Sequence, residues 1–148
     1  MKYYSGRFRP KNIDKYTGDH TKIQYRSMWE RQVFRWCDTS SAVKKWSSEE
    51  NIIPYICKTD GKKHRYFPDL KVTFSNNKTY LIEIKPKAQT LEPKIPKRRT
   101  KKFLNEVLTY AKNISKWEAA EEWCEDHGYE FAIWTEETIK SLGIKLLT

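Results

Sequence analysis

The chain has 148 residues, 38% of them hydrophobic and 14% aromatic, and carries a formal net charge of +10. That length suits one domain around one core, and that hydrophobic content excludes wholesale disorder. No apolar run reaches the ~20 residues of a membrane span.

The opening Met1-Lys2-Tyr3-Tyr4-Ser5-Gly6 lacks the apolar core of a signal peptide, so a soluble intracellular protein without membrane partners is expected. Three widely spaced cysteines, Cys37, Cys57 and Cys124, do not make a disulfide framework. Cys124 and His127 have a ligand-like spacing. A zinc site needs more ligands, however, and His20 and His64 have no clustered partners along the chain, so structural zinc is not expected. The charge is unevenly placed. Residues 1–26 hold seven Lys/Arg against two acids, residues 85–102 hold eight against one, and residues 103–148 hold four against nine. A basic end opposite an acidic one is the pattern of a protein with a polyanion face, and nucleic acid is the expected partner.

Residues 1–26 are expected to form an irregular basic arm, punctuated by Gly6, Pro10 and Gly18. Its aromatics, Tyr3, Tyr4, Phe8, Tyr16 and Tyr25, are read as anchors to the core rather than base-stacking platforms. Ser27 to Asp38 predicts a helix with Trp29, Val33, Trp36 and Cys37 on one stripe and a Ser27/Glu30 capping box at its start. Strands are predicted over Val43 to Glu49, Ile52 to Cys57, Arg65 to Phe74 and Lys78 to Lys85, the last two joined as a hairpin at Ser75-Asn76-Asn77. Pro54 hints at an edge or a bulge. Residues 86–100 form a basic loop containing Pro86, Pro93 and Pro96. Beyond it Phe103, Leu104, Val107, Leu108 and Ala111 predict a helical stripe; one or two helices are expected, with Ser115 and Glu118 the candidate cap of a second, ending near Gly128. Tyr129 to Trp134 predicts a strand, and Thr135 a cap for a short last helix before Gly143. The expected whole is a single α/β domain over 1–148, a mixed sheet with helices on both faces, the strand at 129–134 reached by a right-handed crossover.

Chemistry is concentrated in Pro68-Asp69 and, after thirteen intervening residues, Glu83-Ile84-Lys85. Alternation puts Asp69 with Lys71 and Thr73 on one strand face, and Glu83 with Lys85 on one face of the next strand. Paired as a hairpin, Asp69 and Glu83 stand side by side, where two carboxylates repel. A hard divalent cation turns that repulsion into a binding site, with Mg²⁺ the expected ion and Mn²⁺ its substitute. Lys85 points to the same place. Glu-x-Lys alone is common in strands, and an ordinary surface hairpin is the bland alternative. The combination with Pro-Asp, a preceding helix bearing Glu30, and a basic chain is more specific. Glu49 falls in a strand where a structural or solvent role is favoured.

This constellation resembles the PD-(D/E)XK nuclease superfamily, whose core order is helix, three strands, helix, strand. Over nearly the whole length the chain is similar to the head-completion nucleases of T-even-like tailed phages. The similarity is carried by Tyr4-Ser5-Gly6, Pro10-Lys11-Asn12-Ile13, Tyr25-Arg26-Ser27-Met28-Trp29-Glu30, Ile53-Pro54-Tyr55, Gly61 to Asp69, Ile82 to Lys87, Phe103 to Glu106, Thr109-Tyr110, Lys116-Trp117 and Ala119-Ala120. In its core motifs alone it also resembles the TnsA-like transposon endonucleases. The resemblance implies a restriction-endonuclease-like fold and metal-dependent DNA hydrolysis while a packaged phage head is completed. That work would be done in the host cytoplasm or on the virion, with head or portal proteins as further partners. By motif, Asp69, Glu83 and the Ile84 carbonyl would hold Mg²⁺, Glu30 would complete the site, and Lys85 would act on the attacking water. Candidate DNA contacts are Lys87, Lys94, Lys97, Arg98, Arg99, Lys101 and Lys102, with His64 and Arg65. Asn105 and Tyr110 are weighed as phosphate contacts or plain helix surface. The competing expectation is a structural, DNA-binding head-completion protein with a vestigial site.

Overall fold

The computed structural model describes residues 4–146. Tyr3, named above among the arm aromatics, lies outside them, as do the extreme ends of the expected 1–148 domain. The arm is anchored. A two-residue strand β1 (Gly6–Arg7) pairs antiparallel with β2 (Gln24–Tyr25). Tyr16 is buried with its ring 4.8 Å from Trp46 in an edge-on arrangement, and the buried Asp38 carboxylate accepts from the backbone N–H groups of Lys11 and Asn12 at 2.9 and 3.0 Å. Tyr4 alone of the described arm aromatics is exposed.

Helix α1 (Met28–Thr39) starts where expected, with the Ser27 hydroxyl accepting from Glu30 N. Its buried stripe is Trp29, Val33, Phe34 and Cys37, with Trp36 only partly covered. Strand β3 (Val43–Ser48) follows, then a separate hairpin of β4 (Ile53–Ile56) and β5 (Lys63–Tyr66). The single strand expected over Arg65 to Phe74 is broken. Phe67, Pro68 and Asp69 separate β5 from β6 (Leu70–Phe74), because the buried Pro68 has no N–H for a ladder and its ring fixes the local φ. β7 (Thr79–Ile84) returns antiparallel through a turn whose Asn77 sits at φ 69°, a conformation asparagine tolerates better than most side chains.

Of the one or two helices expected after the lysine loop the structure has one, α2 (Lys101–His127). No Gly or Pro interrupts those 27 residues. Ser115, expected as a cap, is buried mid-helix and donates to Ala111 O at 3.1 Å. Gly128, at φ 72°, ends the helix in the left-handed conformation that glycine adopts without penalty. β8 (Glu130–Trp134) then runs parallel to β7, and α3 (Glu136–Ser141) closes the described chain.

The main sheet has the order β3-β6-β7-β8. With α1 before β3 and α2 between β7 and β8, this is the expected αβββαβ core with one hairpin inserted, in a mixed sheet covered on both faces. Ile82 and Ile84 pack with Trp29, Val33 and Phe34 on the α1 side. Leu81 packs with Tyr66, Trp117, Ala120 and Cys124 on the α2 side. α2 outruns that sheet: 27 residues span about 40 Å, while strands of five or six residues cover about 20 Å. The stripe expected at its start is therefore not buried, and Leu104, Val107 and Leu108 are 54%, 39% and 50% exposed. Among the described residues no helix is long and apolar enough to cross a membrane.

Candidate active site

Where β6 and β7 meet α1, a cleft of about 250 Å³ is lined by Arg26, Glu30, Asp69, Glu83, Lys85 and Gln89, with the Ile84 backbone in its wall. Leu70 pairs with Ile82, so the next step of the ladder sets Asp69 opposite Glu83. Asp69 Oδ2 accepts from Ile84 N at 2.7 Å, which locks the carboxylate across the strand pair. Strand alternation then presents Glu83 and Lys85 together. Glu83 is buried, and the Tyr66 hydroxyl donates to its Oε2. Lys85 N donates to Trp134 O at 3.0 Å, tying the end of β7 to β8.

Glu30 comes from a different layer. Its Oε2 accepts from Arg26 N at 2.8 Å rather than from Ser27 N, so the expected capping box is made one residue further back. That leaves Oε1 to offer to the cleft. Arg26 is in turn ion-paired with Glu49. Glu49 occupies the left-handed region at φ 53° and donates its N–H to Asp69 O, a strained position of the kind that clusters at functional sites. Glu49, expected in a strand, lies one residue past the end of β3 and reaches the cleft only through its ion pair with Arg26.

The electrostatics mark the cleft as short of positive charge. Burial pushes the Asp69 carboxyl well above the usual carboxylate range, and the charges of Glu83 and Glu30 push it further. Glu30 is raised by burial and by Glu49 and Glu83. Tyr66 is raised by burial and by Glu83, so it remains a hydrogen-bond donor. Ionising Asp69 therefore costs more in the fold than in the unfolded chain, and its contribution to stability falls as pH rises through the raised pKa. A hard divalent cation reverses that sign. The donor set is oxygen only, as such a cation prefers, and the residues present fit it.

All of the sequence-selected centre, Glu30, Asp69, Glu83, Ile84 and Lys85, lines this one cleft. The basic candidates are more scattered. Lys87 is engaged with α3, its N–H on Glu136 at 2.8 Å and its Nζ 3.1 Å from Glu137. Lys94, Lys97, Arg98 and Arg99 are exposed in the loop, and Lys101 and Lys102 form the first turn of α2. A larger groove of about 680 Å³ runs between loop and helix, lined by Lys101, Lys102, Asn105 and Tyr110, and it shares Gln89 with the acidic cleft. Arg65 is exposed, its guanidinium 5.7 Å from the Phe67 ring. His64 Nε2 lies 2.8 Å from Asp60 Oδ2.

One sequence expectation needs correction. His64 does have clustered partners, Cys57 and Asp60. Cys124 and His127 do not act as a pair: Cys124 packs in the core, while His127 bonds Trp123 O at 2.7 Å and stacks on the Trp123 ring. Arg26, Tyr66 and Gln89 were not singled out from the sequence. Tyr66 lies three residues before Asp69, but it is the docking of the β4–β5 hairpin that turns it toward Glu83, and that docking leaves no local pattern.

The TnsA-like endonuclease N-terminal family matches residues 40–136. Over 146 residues the chain is 44% identical to the head completion nuclease of Enterobacteria phage T4, covering 96% of this chain and 97% of that protein. No solved structure matches the chain.

Proposed function

The chain belongs to the TnsA-like endonuclease N-terminal family, and from that premise we propose that it is a Mg²⁺-dependent deoxyribonuclease that trims or processes packaged phage DNA during head completion. Its partners would be DNA duplexes or ends and the head or portal proteins of the assembling particle in the host cell. One observation carries this: acids from three separate segments, Glu30, Asp69 and Glu83, converge with Lys85 in one cleft while burial and mutual repulsion raise two of them. A solvated hairpin would not bring them together.

Asp69, Glu83 and the Ile84 carbonyl, with Glu30 completing the set, would hold the cation. When bound, a hard divalent cation supplies a more acidic water and neutralises charge on the phosphate. Ile84 N–H fixes the Asp69 carboxylate and the Tyr66 hydroxyl fixes Glu83, so neither needs to reorganise during the reaction. The Lys85 ammonium orients the attacking water and offsets negative charge growing on the non-bridging phosphate oxygens. Arg26, held by Glu49, limits the negative potential at the cleft mouth, where a polyanion must enter. Lys101 and Lys102 sit at the positive end of α2, where basic side chains are disfavoured unless an anion joins them. The DNA backbone, running along the groove from Gln89, would be that anion.

The test is cleavage of linear and plasmid DNA. Degradation is expected with Mg²⁺ or Mn²⁺ and none in excess chelator, while Ca²⁺ supports binding with little cleavage because of its looser, higher coordination. Full activity in chelator would remove the metal mechanism. DNA binding with no cleavage under any cation would favour the structural reading.

Neutralising Lys94, Lys97, Arg98, Arg99, Lys101 and Lys102 together should weaken binding to all sequences alike. The log–log slope of affinity against salt should drop by about 0.9 for each duplex phosphate that is no longer neutralised. Lys87→Ala should change that slope little, since its Nζ is already satisfied by Glu137. An unchanged slope in the six-fold variant would mean that the cluster faces away from DNA.

A further inference from the structure

The β4–β5 turn carries a donor set unlike that of the acidic cleft. Cys57 follows β4, Asp60 sits in the turn and His64 lies in β5, and hairpin register gathers them. Tyr55 pairs with His64, Ile56 pairs with Lys63, and Cys57 N donates to Lys62 O at 3.0 Å. Gly61, at φ 67°, closes the turn with its N–H on Cys57 O at 2.8 Å. A thiol sulfur, a carboxylate oxygen and an imidazole nitrogen thereby lie within 4.8 Å of one another. Tetrahedral zinc, with bonds of roughly 2.0–2.3 Å, sets its ligand atoms about 3.5 Å apart. Small rotations of the exposed Asp60 and His64 side chains cover the difference.

The surroundings suit a cation. Cys57 is buried while Asp60 and His64 are exposed, which leaves the outer side open to a water. Thr59 Oγ1 lies 3.0 Å from Cys57 Sγ, where a hydroxyl can donate to a thiolate. Lys62 N–H holds Asp60 Oδ1 at 2.9 Å, and the Tyr55 ring lies 5.7 Å from the His64 ring. Of the turn's three lysines, Lys58 is drawn off by Glu118 at 2.8 Å, while Lys62 and Lys63 are exposed to solvent. The two-residue spacer between Cys57 and Asp60 is the short spacing that metal-binding turns use. The plain alternative is a surface His–Asp pair over a buried cysteine. Such a pair contributes little; core packing accounts for the burial of Cys57, and it also leaves the sulfur within 4.8 Å of both the carboxylate and the imidazole.

We propose that Cys57, Asp60 and His64 form a second metal site, separate from the acidic cleft, which takes a borderline-soft divalent cation such as Zn²⁺ with water as the fourth ligand. On binding, the thiol loses its proton to solvent and the thiolate and carboxylate balance the ion's two charges. Ligand softness divides the two sites: oxygen-only donors keep Mg²⁺, and sulfur and nitrogen select Zn²⁺. The ion pins the turn that docks on α2 through Lys58 N and Ser115 Oγ at 3.3 Å. The same hairpin carries Tyr66 to Glu83.

The test is a Co²⁺ titration of the full chain in excess Mg²⁺, read by absorption. One ion per chain is expected, with a near-ultraviolet thiolate-to-cobalt band that Zn²⁺ abolishes. Asp69→Asn/Glu83→Gln should keep the band, because the acidic cleft has no sulfur. Cys57→Ser should lose it, and His64→Ala, a change at an exposed residue that spares folding, should weaken Co²⁺ binding by about ten-fold or more. In the Asp69→Asn/Glu83→Gln background Zn²⁺ should raise the thermal midpoint, and His64→Ala should remove that rise. Absence of a thiolate band, or its persistence in Cys57→Ser, overturns the proposal. So does unchanged affinity in His64→Ala.

Discussion

Glu83→Gln is expected to slow DNA cleavage by roughly two or more orders of magnitude, the scale of losing a main electrostatic group, while DNA affinity changes far less. Glu83 is buried, is held by the Tyr66 hydroxyl, and stands across the strand pair from Asp69. Gln keeps the shape and one acceptor but removes the charge that a divalent cation needs. Asp69→Asn should behave alike, and with less electrostatic strain the metal-free protein should become slightly more stable at neutral pH. Lys85→Ala should lose a comparable rate without losing metal affinity. Glu30→Gln is the finer probe. Gln can still accept from Arg26 N, so the helix start and the thermal midpoint should hold. The rate should nevertheless fall about ten-fold, ~1.4 kcal/mol of barrier. Single-turnover assays on purified variants decide this. Wild-type cleavage by Glu83→Gln would sink the site assignment, whereas wild-type cleavage by Glu30→Gln would return that residue to a capping role alone.

The largest stability effect is expected at Trp46. It is 1% exposed and central to a ring cluster, with Tyr16, Phe34 and Phe8 at centroid distances of 4.8, 5.4 and 5.9 Å. Trp46→Ala should cost about 3–5 kcal/mol, out of a total of roughly 5–15 kcal/mol for a domain of this kind. The lower end is favoured because Trp46 Nε1 has no hydrogen-bond partner among the described residues, and truncation removes that buried donor. Since Phe8 and Tyr16 belong to the arm and Phe34 to α1, the same change should loosen the arm. Urea denaturation would show the shifted midpoint, and limited proteolysis would show early cuts before residue 26. A loss under about 1 kcal/mol would mean that the arm is held by Asp38 and the β1–β2 pair instead.

The local elements were largely legible because their signals are local. Ser27 marks a helix start by supplying an acceptor to Glu30 N, Gly128 marks a helix end by its positive φ, and alternation in Leu70–Phe74 and Thr79–Ile84 separates the α1-side core of Leu70, Val72, Ile82 and Ile84 from the opposite face that carries Leu81 and Glu83. Asp69 and Glu83 could be paired from the sequence because a hairpin with its turn at Ser75-Asn76-Asn77 leaves little freedom in register. The break at Pro68 and the unbroken α2 both follow from local chain chemistry, a proline without an N–H interrupting the ladder and 27 residues without Gly or Pro carrying the helix past the sheet; what the stripe at Leu104 and Leu108 does not say is where the sheet ends.

What the sequence by itself determined is that Asp69, Glu83 and Lys85 share one surface, since strand periodicity and one turn suffice to put them there. Only the tertiary structure decided the rest of the cleft. Glu30 reaches it because α1 packs on the sheet through Trp29, Val33 and Phe34, and Glu49 and Arg26 meet because the chain after β3 returns to the start of α1. Tyr66 meets Glu83 because the β4–β5 hairpin docks against α2. Such meetings join residues on different elements, whose approach is set by burying Trp46, Leu81 and Trp117 in the core rather than by any spacing along the chain.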